Sequence, residues 1–75
     1  MPTISFFYGI AIQMFFDDHN PPHVHAISGD HEALIEISSL RVIGDLPTRK
    51  LARVLAWMRT NQPALVAEWR RIQAG

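Results

Sequence analysis

The chain contains no cysteine, which excludes a disulfide framework and any thiolate metal site. It has no Lys or Arg in residues 1 to 40, whereas residues 41 to 75 carry all seven of them. No apolar run approaches the roughly 18 residues a membrane helix needs, and no cationic, apolar leader opens the chain. A cytoplasmic protein without membrane contact is therefore expected. Glycine-rich phosphate loops and a Ser-His-Asp order are also missing, which sets aside common enzyme classes. The length of 75 residues fits one domain, 1–75. Folding a chain this short hides only about 60% of its surface, so a partner, a metal or self-association would add stability.

The net charge is zero but divided. Asp17, Asp18, Asp30, Glu32 and Glu36 lie in the first 40 residues with all four histidines, and the bases follow. Such a balance argues against a protein that coats DNA without selectivity. It leaves a basic C-terminal surface that suits nucleic acid, an acidic partner, or plain solvation.

Hydrophobic periodicity gives the architecture. Ile4, Phe6, Tyr8, Ile10, Ile12, Met14 and Phe16 all fall on even positions, which predicts one long strand with a bulge at Gly9. Asn20-Pro21-Pro22 ends it. From His23 to Ile43 the pattern predicts an antiparallel meander. A Gly29-Asp30 loop sets Ser28 opposite His31 and His23 opposite Glu36. A Ser38-Ser39 turn sets Ile37 opposite Leu40, Glu36 opposite Arg41, Ile35 opposite Val42 and Leu34 opposite Ile43. One face then gathers Val24, Ala26, Ala33, Ile35, Ile37 and Val42 as core. The other carries a second apolar strip, Ile27, Leu34 and Ile43, which two short helices cannot also cover. Either a partner chain or self-association, or the N-terminal arm, would bury that strip.

Two helices are predicted beyond residue 45. Asp45 or Leu46 caps the first, with Leu51, Val54, Leu55 and Met58 as its buried stripe. Asn61 caps the second, with Pro63 in its first turn and Leu65, Val66, Trp69 and Ile72 buried. The expected fold is α+β: a small antiparallel meander of three to four strands (residues 1–44) packed against a C-terminal two-helix hairpin (45–75).

The chemistry is concentrated in "FFDDHNPPHVHA", residues 15 to 26. Three readings stay open. Residues His23 and His25, about 6.5 to 7 Å apart on one strand face, would share a divalent metal with His19, Asp18 or Asp17. Alternatively, no cofactor is needed: the imidazoles act as general base and acid on a phosphodiester, with Glu36 orienting His23 and Arg41 facing the developing charge. Or the cluster is structural, the aspartates capping backbone N–H groups in a turn stiffened by the prolines. His31, beside a hairpin tip, is expected to be merely exposed. The pair Glu36 and Arg41 also fits an ordinary cross-strand ion pair.

The segments "MPTIS", "GIAIQMFF", "DDHNPPHVHA" and "ALIEI" resemble a bacterial family catalogued as domain of unknown function 4160. The resemblance spans essentially the whole chain and is strongest from Gly9 to Ile37. It implies the toxin half of a two-gene toxin–antitoxin pair, held by a small cognate partner of the domain of unknown function 2442 type. Combined with the residue chemistry, the first expectation is a toxin-like protein that acts on RNA or other nucleic acid through His23, His25 and His19, with Asp18 and Arg41 in support. The motif residues carried over are Asp18, His19, Pro21, Pro22, His23 and His25. In this family a basic residue follows "MPTIS", and here Phe6 stands in its place. The competing expectation is a non-catalytic module that binds protein or DNA.

Overall fold

The computed structural model describes residues 3–15 and 20–74. Five strands, β1 (Thr3–Phe7), β2 (Ile10–Gln13), β3 (His23–Ser28), β4 (His31–Glu36) and β5 (Val42–Asp45), precede one helix, α1 (Thr48–Ala74). The sheet is a meander in which each strand pairs antiparallel with the next, in the order β1-β2-β3-β4-β5. The long helix lies across one face. Strands and helix are segregated along the chain, an α+β arrangement, but the expected three to four strands and helical hairpin are both replaced.

The first correction is at Gly9. The expected single strand is a hairpin, with Phe7 opposite Ile10 and a two-residue turn at Tyr8 (φ +52°) and Gly9 (φ +72°). Two consecutive positive φ values match the primed turn that suits strand twist. A two-residue turn swaps which parity faces the core. Ile10, Ile12 and Met14 are fully buried, but on β1 it is Phe7 that packs inward, and Phe6 points out. The irregularity in the ladder falls between Thr3 and Ser5 instead.

The β3–β4 hairpin has the expected register at all six pairs, from Ser28↔His31 to His23↔Glu36. Gly29 supplies the positive φ (+58°) at its first loop position. Between β4 and β5 the pairs Leu34↔Ile43 and Ile35↔Val42 also match the expectation. The Ser38-Ser39 turn does not. Glu36 N–H donates to Arg41 carbonyl at 2.9 Å, so residues 37–40 form a four-residue loop, and the left-handed residue is Leu40 (φ +61°). Ile37 N–H donates to the carbonyl of Pro22 at 3.0 Å rather than pairing with Leu40. The core face of the meander is as expected except for Val42, which is half-buried.

The second large correction is the helix. Asp45 ends β5, Leu46 is buried, and Pro47 carbonyl accepts the first helical bond from Leu51 N–H at 2.9 Å. From there α1 runs through Pro63 without a break. The buried stripe Val54, Met58, Leu65, Trp69, Ile72 keeps one helical phase across residues 60–63, so a single helix satisfies both halves. Asn61, expected to cap a second helix, and its neighbour Thr60 bond within the one helix instead. Asn61 Nδ2 donates back to Trp57 carbonyl (2.7 Å) and Thr60 Oγ1 to Ala56 carbonyl (3.2 Å). Gln62 Nε2 donates to Ile37 carbonyl at 2.8 Å, tying mid-helix to the β4–β5 loop. Pro63 itself points to solvent, where its ring disturbs no packing. No helix among the described residues is long and apolar enough to cross a membrane.

Candidate functional site

Two strand ends and a proline pair bring His23 and His25 together. Strand β3 can begin only at His23, because Pro21 and Pro22 offer no N–H to a ladder. Their carbonyls are used instead: Pro22 accepts from Ile37, and Pro21 accepts from His23 Nδ1 at 2.8 Å. A carbonyl can only accept, so Nδ1 of His23 carries the proton.

The ring of His23 does not stand on the open face as the strand alternation predicts. The residue is 1% exposed, and its ring centroid lies 5.1 Å from Trp69 and 5.1 Å from His25. Burial along β3 begins with two consecutive buried residues, His23 and Val24, before the alternation sets in. The far half of α1 reaches this end of the sheet, where Gln73 Nε2 donates to Phe15 carbonyl (3.0 Å), and Trp69 closes over the imidazole.

His25 is the more accessible of the two. Its Nδ1 donates to Glu32 Oε2 at 3.1 Å, with the imidazole side chain 16% exposed and Phe15 packed edge-on at 4.2 Å. Glu32 was missed by the sequence reading, which assigned a carboxylate to His23 instead. Its signal was the register: Leu34 faces His25, which makes both Glu32 and Glu36 diagonal neighbours on the same face.

Glu36 does sit opposite His23 in the ladder, but its carboxylate accepts from Ser39 Oγ at 2.7 Å. Arg41 contributes its backbone carbonyl to Glu36, and among the described residues its guanidinium makes no ion pair. The expected row of His23, Glu36 and Arg41 therefore exists in the backbone register and not as a cluster of side chains. Asp17, Asp18 and His19 lie outside the described residues. Among the described residues there is no group of three or more potential metal-ligating side chains. His31 is half-exposed and 3.8 Å from Asp45.

The helix-free face of the sheet is the larger feature. Register places Phe6, Ala11, Ile27, Glu32 and Asp45 in one lateral row and Gln13, His25, Leu34 and Ile43 in the next. An apolar strip thus crosses all five strands, from Phe6 (70% exposed) through Ile27 and Leu34 to Ile43 (53% exposed). Exposed Glu32 and Asp45 border it. A separate cleft of about 470 Å³ lies between β1 and the second half of α1, lined by Ile4, Trp57, Leu65, Glu68 and Arg71 among others. It contains none of the expected site residues. Its one charged pair is closed on itself: the hydrogen bond from Arg71 holds the Glu68 carboxyl below its ordinary range.

Among curated proteins and solved structures, none matches this chain. The motif residues Pro21, Pro22, His23 and His25 do fall within a family match. The model of the family described as domain of unknown function (DUF4160) covers residues 9–70, and the chain belongs to that family.

Proposed function

We propose that this domain is the binding half of a small two-protein assembly and docks its partner on the helix-free face of the sheet. The observation that carries this reading is the strip from Phe6 to Ile43, continuous through Ile27 and Leu34 and bordered by carboxylates. Isolated exposed apolar residues are ordinary, but two large ones joined across five strands are an interface pattern. The acidic border fits a partner whose apolar contact is flanked by Lys or Arg. With strands about 4.8 Å apart the face is about 19 Å wide. Its strands of four to six residues are about 13–20 Å long, so the face offers on the order of 250–400 Å². That is less than the roughly 800 Å² a standard interface buries on each side, so the partner also covers a sheet edge. On the family resemblance, the partner is the small antitoxin-like protein of the domain of unknown function 2442 type, and this chain is the toxin half of the pair.

A second reading, chemistry on RNA, is favoured by the His25–Glu32 pair. A carboxylate on Nδ1 orients an imidazole for general base work. The buried ring of His23 speaks against its sharing that role directly.

The test uses the purified product of the neighbouring small gene and titration calorimetry. Exchanging Phe6→Glu and Ile43→Glu together is expected to weaken association by about 100-fold or more, as for two interface anchors, with an unchanged circular dichroism spectrum. Unaltered affinity would overturn the docking face. If the wild-type chain instead dimerises by light scattering and the double variant is monomeric, the occupant is a second copy. In a growth assay, His25→Ala abolishes inhibition only if the imidazole performs chemistry. A variant that is still toxic and still neutralised leaves the binding reading standing.

A further inference from the structure

The turn between β1 and β2 holds a residue that its backbone does not favour. Two-residue primed turns select Asn-Gly or Asp-Gly, because the first position needs a positive φ. Here that position is Tyr8, at φ +52°, and a bulky side chain in that conformation is a real outlier. Nothing buries the ring in exchange: Tyr8 is 63% exposed. It is held by Arg53, whose guanidinium carbon lies 3.8 Å from the ring centroid, and by the edge of Phe7.

Arg53 belongs to a ridge. Arg49, Arg53, Arg59 and Arg70 are all exposed on α1, and at 3.6 residues per turn they fall within an arc of about 120° facing away from the sheet. The positions between them are Ala52, Ala56, Thr60, Pro63 and Ala67, small enough for a polymer backbone to lie close, and no carboxylate shares the arc. The six bases of α1 outnumber its one acid, Glu68, whereas residues 1–47 hold six acids against Arg41. The first turn of α1 contains Arg49 and Lys50 and no acidic residue; Lys50 Nζ donates to Ser28 Oγ at 2.5 Å, which leaves Arg49 as the cation of that turn on the ridge.

We propose that Tyr8 and this arginine ridge bind single-stranded nucleic acid, an unpaired base stacking on the Tyr8 ring and the phosphodiester backbone running along α1. Aromatic rings interleaved with cations recognise single strands this way, and Arg stacked on Tyr adds to the platform. The ridge spans about 32 Å from Arg49 to Arg70. It lies on the opposite side of the molecule from the sheet face and is independent of the partner proposed there.

The test is fluorescence anisotropy with a labelled uridine oligonucleotide of about 15 nucleotides, its duplex of equal length, and a salt series. The single strand binds more tightly than the duplex. Tyr8→Asn weakens single-strand binding by roughly 5- to 100-fold, the worth of one stacked base, while the melting temperature holds or rises, since Asn-Gly is the favoured turn pair. Arg59→Ala and Arg70→Ala, remote from the turn, each flatten the salt dependence by about 0.7 in log–log slope. Single-strand affinity insensitive to Tyr8→Asn, equal affinity for duplex, or a fall in melting temperature in that variant would each overturn the assignment. A salt-independent signal would do so as well.

Discussion

Replacing Gly44 by Ala is expected to destabilise the domain by about 3 kcal/mol or more, from backbone strain together with overpacking. Gly44 has φ +120°, on the side of backbone space that L-residues rarely adopt. A Cβ built there lies 2.6 Å from the carbonyl oxygen of Glu32 and 2.9 Å from the Cα of Ala33. Both atoms are backbone of β4, and β4 is paired to β3 at six positions, so it is β5 that must move. Strand β5 leads directly into buried Leu46 and the start of α1, which spreads the damage into the core. For a domain of this size the loss corresponds to a melting temperature lower by roughly 12–24 °C. Gly29→Ala is the internal comparison. Its φ is +58°, but nothing lies within 4 Å of the added carbon, so its cost is only the left-handed penalty of about 1 kcal/mol. Equal melting temperatures for the two variants would show that the close approach of β5 to β4 is wrong.

The second large effect is at Trp69. The residue is 5% exposed within the apolar cluster and covers the imidazole of His23 at 5.1 Å between ring centroids. Trp69→Ala removes that lid and leaves a cavity, a change worth about 3–5 kcal/mol in other cores. Against the typical 5–15 kcal/mol of a whole protein, and in a chain with a small core, this approaches loss of the fold. Urea unfolding measures it, and a conservative Trp69→Phe should recover part of the stability. The same variant changes the ring-current shift on the His23 C–H protons in NMR. If those resonances stay in place in the Phe variant, the tryptophan does not sit over the imidazole.

The hairpin of β3 and β4 was legible because three independent signals agree there. Gly29 can take the left-handed turn, the apolar alternation runs unbroken on both sides, and a slip by one residue would mix the faces. The first hairpin was not legible, since Tyr-Gly is a weak turn signal and even positions remain apolar on both sides of it. In the helix the sequence contained the answer and the proline obscured it. Val54, Met58, Leu65, Trp69 and Ile72 hold one phase throughout, and an exposed Pro63 removes one hydrogen bond without ending the packing that stabilises both halves. At the site, backbone register gave the neighbours of each histidine but not the rotamers. Glu36 faces His23 as expected, yet a local serine takes its carboxylate, and Glu32 reaches His25 along the diagonal.

From residue order alone followed the pairing of β3 with β4, the pairs Leu34↔Ile43 and Ile35↔Val42, the inward face of the meander apart from Val42, the apolar stripe of the helix and the division of charge between the two halves. These depend on local geometry: period two in a strand, about 3.6 in a helix, and turn residues at fixed places. The fate of the imidazoles was decided by the tertiary structure. An uninterrupted helix carries Trp69 to the start of β3 and encloses His23, whereas His25, two residues on, stays at the surface of the sheet. Long-range packing chooses which ring is enclosed, because that choice rests on an element more than forty residues away, and no pattern within the motif encodes it.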